Sequence, residues 1–490
     1  MSGPQLDGQE APPCQLLIDG QWVDALAGAT LDSIDPATGD VWARFACGDE
    51  SDVDAAVAAS VAAFERHEFA APDQRARWLF RLADLMEERA DWLALITTRD
   101  MGMPLVGARA QVVAAAEQCR YIAGWATKIE GSVVYPSAPG DFHAYVDRHP
   151  LGVVAAIVPW NAPILLTMLK LAPALATGNA IVIKPSEEAS VSMLALGALV
   201  LEAGVPDGLV NIVTGLGPIA GAALASHPGV AKVTVTGSVE TGRRIVQLAG
   251  QSLKRVTLEL GGKSPNIICA DADLDIAVPE SGLGVFAFSG QLCVAGTRIL
   301  VHRSRYDEFA ERLGAYASAL TVGPGTDPGT QIGPLVSQRQ LERARGYVDR
   351  AVAADLRRVE GGGRPGLANM RGFYLEPQVF ADVPNGSELG SEEVFGPVAS
   401  LMTFDDVEEA VRIANDSPFG LAAGIYSNDV NVVHRVARRL RAGVVWVNGY
   451  LASDPAMPFG GTKLSGYGRE KGREVLHEYT ETKAVWMRIR

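Results

Sequence analysis

Three side chains far apart in the chain could together carry out covalent chemistry: a thiol, a carboxylate and an amide. Cys293 lies in Phe288-Ser289-Gly290-Gln291-Leu292-Cys293-Val294-Ala295-Gly296. Small residues and two glycines suit a turn whose backbone amides approach the sulfur or its adduct; a buried, inert thiol is the alternative. Glu259 lies in Thr257-Leu258-Glu259-Leu260-Gly261-Gly262-Lys263-Ser264-Pro265, at the end of a Val/Leu strand, where an open α/β sheet places ligands. Desolvation there raises a carboxyl pKa and makes a usable general base, whereas pairing with Lys263 or Arg255 would leave it structural. Asn161, in Pro159-Trp160-Asn161, can donate its amide to an oxyanion or simply form a turn.

A second set of residues could hold phosphate and ribose. Thr236-Gly237-Ser238, followed by Gly242, ends a strand and opens a helix, so helix N-terminal amides could face a pyrophosphate. Lys184-Pro185-Ser186-Glu187 ends the preceding strand and offers a cation and a carboxylate to ribose hydroxyls. Gly215-Leu216-Gly217 with Gly221 looks like a dinucleotide fingerprint, but its spacing is wrong and no acidic residue follows at the expected distance. Each block alone could be strand-to-helix punctuation. Of the other cysteines, Cys269 sits in an apolar run and Cys119 beside Arg120 on a helix, so both read as packing, and Cys14 and Cys47 have no chemical context. Five scattered cysteines suggest neither a disulfide framework nor a metal site.

These groups must be positioned by a large folded body. At 490 residues, two or three folded units are expected, and 48% hydrophobic with 20% charged residues provides an ample core. The net charge of -14, without a basic cluster, argues against nucleic acid and anionic membranes as partners. The stretch from Leu151 to Leu169 is uncharged, but Pro159, Asn161 and Pro163 break it into a strand and a helix rather than a membrane span. The polar start, Met1 to Cys14, has no secretory pattern, so a cytoplasmic protein is expected.

The first part reads as helical. Ser51 caps a helix through Val53, Val57, Val61 and Phe64, and one long amphipathic run goes from Pro72 to Met101. From Val153 onward, strand-like runs alternate with helical ones, the pattern of a mostly parallel sheet covered on both faces. A second alternating set spans Ile267 to about Val447, with no linker between the two. Trp486 and Met487, large apolar residues in a terminal strand, need a neighbouring strand from another subunit or from the same chain.

Taken in order and spacing, these blocks resemble the aldehyde dehydrogenase superfamily over nearly the whole chain. Glu392-Glu393-Val394-Phe395-Gly396-Pro397 and Pro458-Phe459-Gly460-Gly461 through Gly466-Tyr467-Gly468-Arg469-Glu470 extend the match. The resemblance implies an α/β fold with a Rossmann-like cofactor domain (1–130 and 151–261), an α/β catalytic domain (262–465) and a small β oligomerisation flap (131–150 and 478–490). A homodimer or homotetramer is implied. So is an NAD(P)-dependent oxidation in which Cys293 attacks the aldehyde, Asn161 holds the oxyanion and Glu259 activates water against the thioester. Lys170 and Glu470 match positioning and proton-relay residues, with surface pairing as the alternative. Trp160, Lys184, Glu187, Gly237, Ser238, Glu393 and Phe395 match the cofactor site, and Glu187 favours NAD while leaving NADP open. Ala162, Leu169, Leu292, Val294 and Phe459 are expected to form a roomy apolar pocket for aromatic, terpenoid or aliphatic aldehydes. Rival expectations are a betaine aldehyde or semialdehyde substrate, acyl transfer to coenzyme A, and a non-enzymatic use of the fold.

Overall fold

A computed structural model describes residues 10–67, 70–361, 363 and 367–489. Most of the polar start read above as leaderless, residues 1–9, lies outside the described residues, as does Arg490 of the expected flap. Among the described residues, two large sheets carry the fold. The first has eight strands in the order Gly466–Tyr467, Arg255–Glu259, Lys232–Thr236, Val153–Val158, Ala180–Pro185, Val210–Ile212, Leu16–Ile18 and Gln21–Val23. Its central strands are parallel. Val153–Val158 shows why: five of its six residues are buried, the continuous apolar run that a strand covered on both faces requires.

The second sheet has seven strands in the order Arg357–Glu360, Gln378–Ala381, Val398–Phe404, Arg298–His302, Pro265–Ile268, Ala422–Tyr426 and Val444–Val447. The apolar segment that mimicked a membrane span is the strand Val153–Val158 followed by the helix Pro163–Ala176, which starts on a proline and is buried along nearly its whole length. Among the described residues no helix is long and apolar enough to cross a membrane.

Thr480–Arg488 pairs antiparallel along its whole length with Phe142–Pro150 of the same chain, and Ser132–Val134 takes the other edge. The terminal strand is therefore tied down within its own chain, yet Trp486 remains 57% and Met487 52% exposed.

Three local expectations are corrected. The first part is not wholly helical: Leu16–Ile18 and Gln21–Val23 extend the first sheet, and Thr30–Ile34 with Val41–Ala46 form a hairpin. These strands are three to six residues long, too short for a period to stand out. The run from Pro72 to Met101 is two helices, Pro72–Glu88 and Ala90–Met101, turning at Arg89. Neither Pro nor Gly marks that turn, so no punctuation announced it. The helix Glu50–His67 is capped by Asp49, whose carboxylate accepts from the Ser51 amide while Asp52 accepts from the Asp49 amide.

Candidate active site

Glu259 is the last residue of its strand, opposite Thr236 on one side and Gly466 on the other. It is 3% exposed, and neither carboxylate oxygen has a hydrogen-bond partner among the described residues. The two structural pairings considered for it are absent: Arg255 turns to the Thr480 carbonyl and Glu481, and the buried Lys263 ammonium finds no hydrogen-bond partner. Burial pushes the Glu259 carboxyl well above the usual carboxylate range. The Glu470 charge adds to that rise, and Lys170 and Arg469 oppose it.

Lys170 and Glu470 form an ion pair with both side chains at or near zero exposure, so this is no surface pair. The Lys170 ammonium also donates to Thr236 Oγ at 2.8 Å, which ties the pair to the strand beside Glu259. A buried pair of this kind adds little net stability, because desolvation offsets much of its attraction; what it fixes is position.

Cys293 stands on the loop between the turn Ala287–Gly290 and the strand Arg298–His302, and its thiol is half-buried. Desolvation pushes it up to about 12, and the Glu393 and Glu259 charges push the same way. The loop is strongly held. Phe288 and Ser289 have φ of 52° and 59°, the left-handed region that non-glycine residues rarely occupy. Ser289 Oγ donates to the Gly333 carbonyl at 2.8 Å, and the Val336 amide donates to Gln291 Oε1 at 3.0 Å. A Cβ at Gly262 would overlap the Cys293 carbonyl, and one at Gly290, whose φ is 71°, would overlap the Gly396 carbonyl.

Asn161 is 6% exposed, and its Nδ2 donates to the Gln291 carbonyl at 2.9 Å. That bond uses one of two amide hydrogens and leaves the other for an oxyanion on Cys293.

Three cavities meet around these residues. One of about 190 Å³ is lined by Asn161, Thr236, Glu259, Cys293, Glu393 and Phe395, among others. The Phe395 and Trp160 rings meet edge to face, 5.4 Å apart. Glu393 accepts from the Gly262 amide at 2.9 Å, and burial lifts its carboxyl to about 7. A second cavity, of about 510 Å³, shares Trp160, Gly237 and Ser238 with the first and continues past Lys184 and Glu187. There Lys184 Nζ lies 3.4 Å from the Glu187 carboxylate. Ser238 caps the helix Val239–Gly250, its Oγ accepting from the Thr241 amide. This cavity fits a dinucleotide: a helix N-terminus for the pyrophosphate, a cation and carboxylate for ribose, and an aromatic pair at the end nearest the thiol.

The third cavity, of about 550 Å³, is lined by Val294, Trp446, Leu451, Met457, Phe459 and Lys471, among others. Cys293, Trp446, Leu451 and Phe459 pack against one apolar cluster that contains Val294, so the loop of the thiol and the wall of this space belong to the same cluster. Of the expected pocket residues, Val294 and Phe459 stand on its wall. Ala162 and Leu169 are 7% and 2% exposed, buried in the body of the protein, and with Leu292 they are not on that wall.

The sequence reading missed several lining residues. Gly217 and Gly221, set aside for wrong spacing, line the dinucleotide-sized cavity. A Cβ at either would find nothing but the Lys184 side chain within 4 Å, so these glycines keep the wall low rather than relieve a clash. Gln340 and Arg343 line the smallest cavity from a helix of the second sheet, and their motif-free surroundings gave no signal. Trp446, Leu451 and Met457 come from a strand end and a loop without periodicity.

The aldehyde dehydrogenase family model matches residues 22–485. The human mitochondrial aldehyde dehydrogenase is 44% identical over 483 residues, covering 97% of this chain and 92% of that one. Phenylacetaldehyde dehydrogenase of Pseudomonas fluorescens is 42% identical over 490 residues, covering 98% and 97%. The solved NAD+ complex of an aldehyde dehydrogenase from Bacillus cereus superposes with a TM-score of 0.95 at 40% identity and covers 100% of both chains. In sequence along nearly its whole length, and in fold, this chain belongs to the aldehyde dehydrogenase family.

Proposed function

We propose that the chain oxidises apolar aldehydes to carboxylic acids with NAD, through a thiohemiacetal and a thioester on Cys293. The observation that carries this reading is the one cavity wall shared by Glu259, Cys293 and Asn161, which joins the dinucleotide-sized cavity through Trp160, Gly237 and Ser238, while Val294, next to Cys293, lines the apolar one. Because the thiol holds its proton tightly, that proton must leave to solvent as the S–C bond forms, while Glu259, the unpartnered carboxylate in the same cavity, serves the second half of the reaction. The free amide hydrogen of Asn161 holds the oxyanion. NAD+, when bound along the cavity of Lys184, Glu187 and Ser238, would supply the acceptor for the hydride that the thiohemiacetal loses. Glu259 then takes a proton from the water that cleaves the thioester, a role a coenzyme A-acylating enzyme would not need. Lys170 and Glu470 fix the charge beside it.

Glu187 and Lys184 line the same cavity; the Glu187 carboxylate can accept from both adenosine ribose hydroxyls and would repel a 2′-phosphate, a repulsion that Lys184 softens. The related phenylacetaldehyde dehydrogenase supports an aromatic substrate, as does a wall containing Trp446 and Phe459. Turnover of phenylacetaldehyde and hexanal with NAD, exceeding that with NADP, is the expected result of an absorbance assay for reduced cofactor. Strong preference for betaine aldehyde or succinic semialdehyde, or a requirement for coenzyme A, would overturn the reading.

Subunit association through residues 131–150 and 478–490 belongs to the same proposal. The strand Thr480–Arg488 forms one edge of its sheet, and Trp486, Met487 and Ile489 stay more than half exposed. A double change, Trp486→Glu with Met487→Glu, is expected to shift the protein to monomer in analytical ultracentrifugation. A wild type that already sediments as a monomer would sink this part of the proposal.

A further inference from the structure

The wall of the third cavity is not uniformly apolar. Lys471 and Asp454 both line it, opposite in charge and close enough to influence each other, yet they form no ion pair. The Lys471 ammonium donates to Ser453 Oγ at 2.5 Å and lies 5.9 Å from the Phe459 ring centroid, which leaves it further hydrogens to give. Asp454 uses Oδ1 to accept from the Ala456 amide at 2.7 Å, and its other oxygen has no hydrogen bond among the described residues. The Trp446 Nε1 hydrogen is already spent on the Ala452 carbonyl, so that ring offers only its apolar face. Lys471 also sits at φ 58°, immediately before Gly472 at the same φ.

The group that satisfies both charges at once must accept a hydrogen bond from an ammonium and donate one to a carboxylate. A hydroxyl does both. Asp454 is exposed and Lys471 half-buried, so water meets both until a ligand displaces it; a carboxylate would meet Asp454, a quaternary ammonium would meet Lys471, and a plain hydrocarbon would displace that water without replacing its hydrogen bonds. We infer that the aldehyde recognised by this site carries a hydroxyl at the end remote from its carbonyl, held between Lys471 and Asp454. The inference rests on the aldehyde-oxidation reading above and narrows its substrate class to hydroxylated aryl or alkyl aldehydes.

The test compares kcat/KM for 4-hydroxyphenylacetaldehyde, 4-carboxyphenylacetaldehyde and phenylacetaldehyde, and for 6-hydroxyhexanal against hexanal, in the wild type, Lys471→Met and Asp454→Asn. The expected result is a preference of about tenfold for the hydroxylated member of at least one series, the scale of one charge-assisted hydrogen bond at a partly exposed site. It should appear mainly in KM and fall to within about twofold of parity in both variants. Parity in both series in the wild type overturns the inference, as does preference for the carboxylated aldehyde. So does a loss in the variants that is the same for all five substrates. A wild type that oxidises none of the five overturns the aldehyde-oxidation reading as well, which separates the two failures.

Discussion

Cys293→Ala is expected to lower aldehyde oxidation by at least about four orders of magnitude, because no other thiol lines its cavity and the hydroxyls there are far weaker nucleophiles. None of the other four cysteines lines that cavity: Cys14, Cys119 and Cys269 are buried elsewhere, the Cys119 thiol turned to the Leu79 carbonyl, and Cys47 is half-buried outside it. The same environment makes a second expectation about the resting thiol. Its pKa is pushed up to about 12 by burial and by two nearby carboxylates, so only a small fraction is thiolate near neutral pH. Alkylation of Cys293 by iodoacetamide in the cofactor-free protein should therefore be slow. It should accelerate about tenfold per pH unit between about pH 7 and pH 9. A rate that levels off within that range would show a stabilised thiolate and remove the need for a base in the first step. Mass spectrometry of the alkylated peptide identifies the site.

Glu259→Gln should separate the two halves of the reaction. Amide keeps the shape of the carboxyl but cannot take a proton, so thioester hydrolysis should slow by about two to four orders of magnitude. A stoichiometric burst of reduced cofactor followed by near-silence is the expected trace if another group can assist the first step; a loss of the burst itself would place Glu259 in both steps. The pH dependence has a defined sign. A carboxyl whose pKa is raised by burial is protonated at low pH and becomes an active base only as pH climbs through that raised value. Deacylation in the wild type should therefore increase with pH across the neutral range, with an inflection above that of an ordinary glutamate, and the Gln variant should lose this inflection. Rapid-quench detection of the acyl-enzyme measures both effects. A pH-independent wild-type step would assign the base role elsewhere.

Legibility in the sequence followed burial and order. The parallel strands were readable because segments such as Val153–Val158 and the first four residues of Ala180–Pro185 are buried on both faces and hence continuously apolar. Leu16–Ile18, which extends the same sheet, is three residues long and offers no period at all. Cys293, Glu259 and Asn161 were each ambiguous alone, since thiols, carboxylates and amides all have ordinary structural uses. Their sequence order among the other blocks suggested a common site, and the structure puts them on one cavity wall. The burial of the Lys170–Glu470 pair was not legible, because 300 positions separate its members and either side chain alone suits a surface. Nor was the far wall of the third cavity. It draws on a strand end at Trp446, a loop through Leu451 and Met457, and Lys471 just beyond the family block, none of which shares a pattern.

The glycines around the thiol constrain how this enzyme can diversify. A methyl group at Gly262 would overlap the Cys293 carbonyl, at Gly290 the Gly396 backbone, at Gly261 the Glu393 carboxylate, and at Gly460 the Glu259 carboxylate. At Gly262 and Gly290 the obstacle is main chain, which cannot swing aside as a flexible side chain can. Every single amino-acid change at these four sites adds at least that methyl, so descendants gain no graded steps there: the reacting centre is inherited whole or lost. Variation that leaves catalysis intact is channelled to the wall of the third cavity, where Ala452, Ser453 and Met457 are exposed. New substrate ranges in this lineage are therefore expected to arise by substitutions between positions 451 and 457 while the chemistry stays fixed.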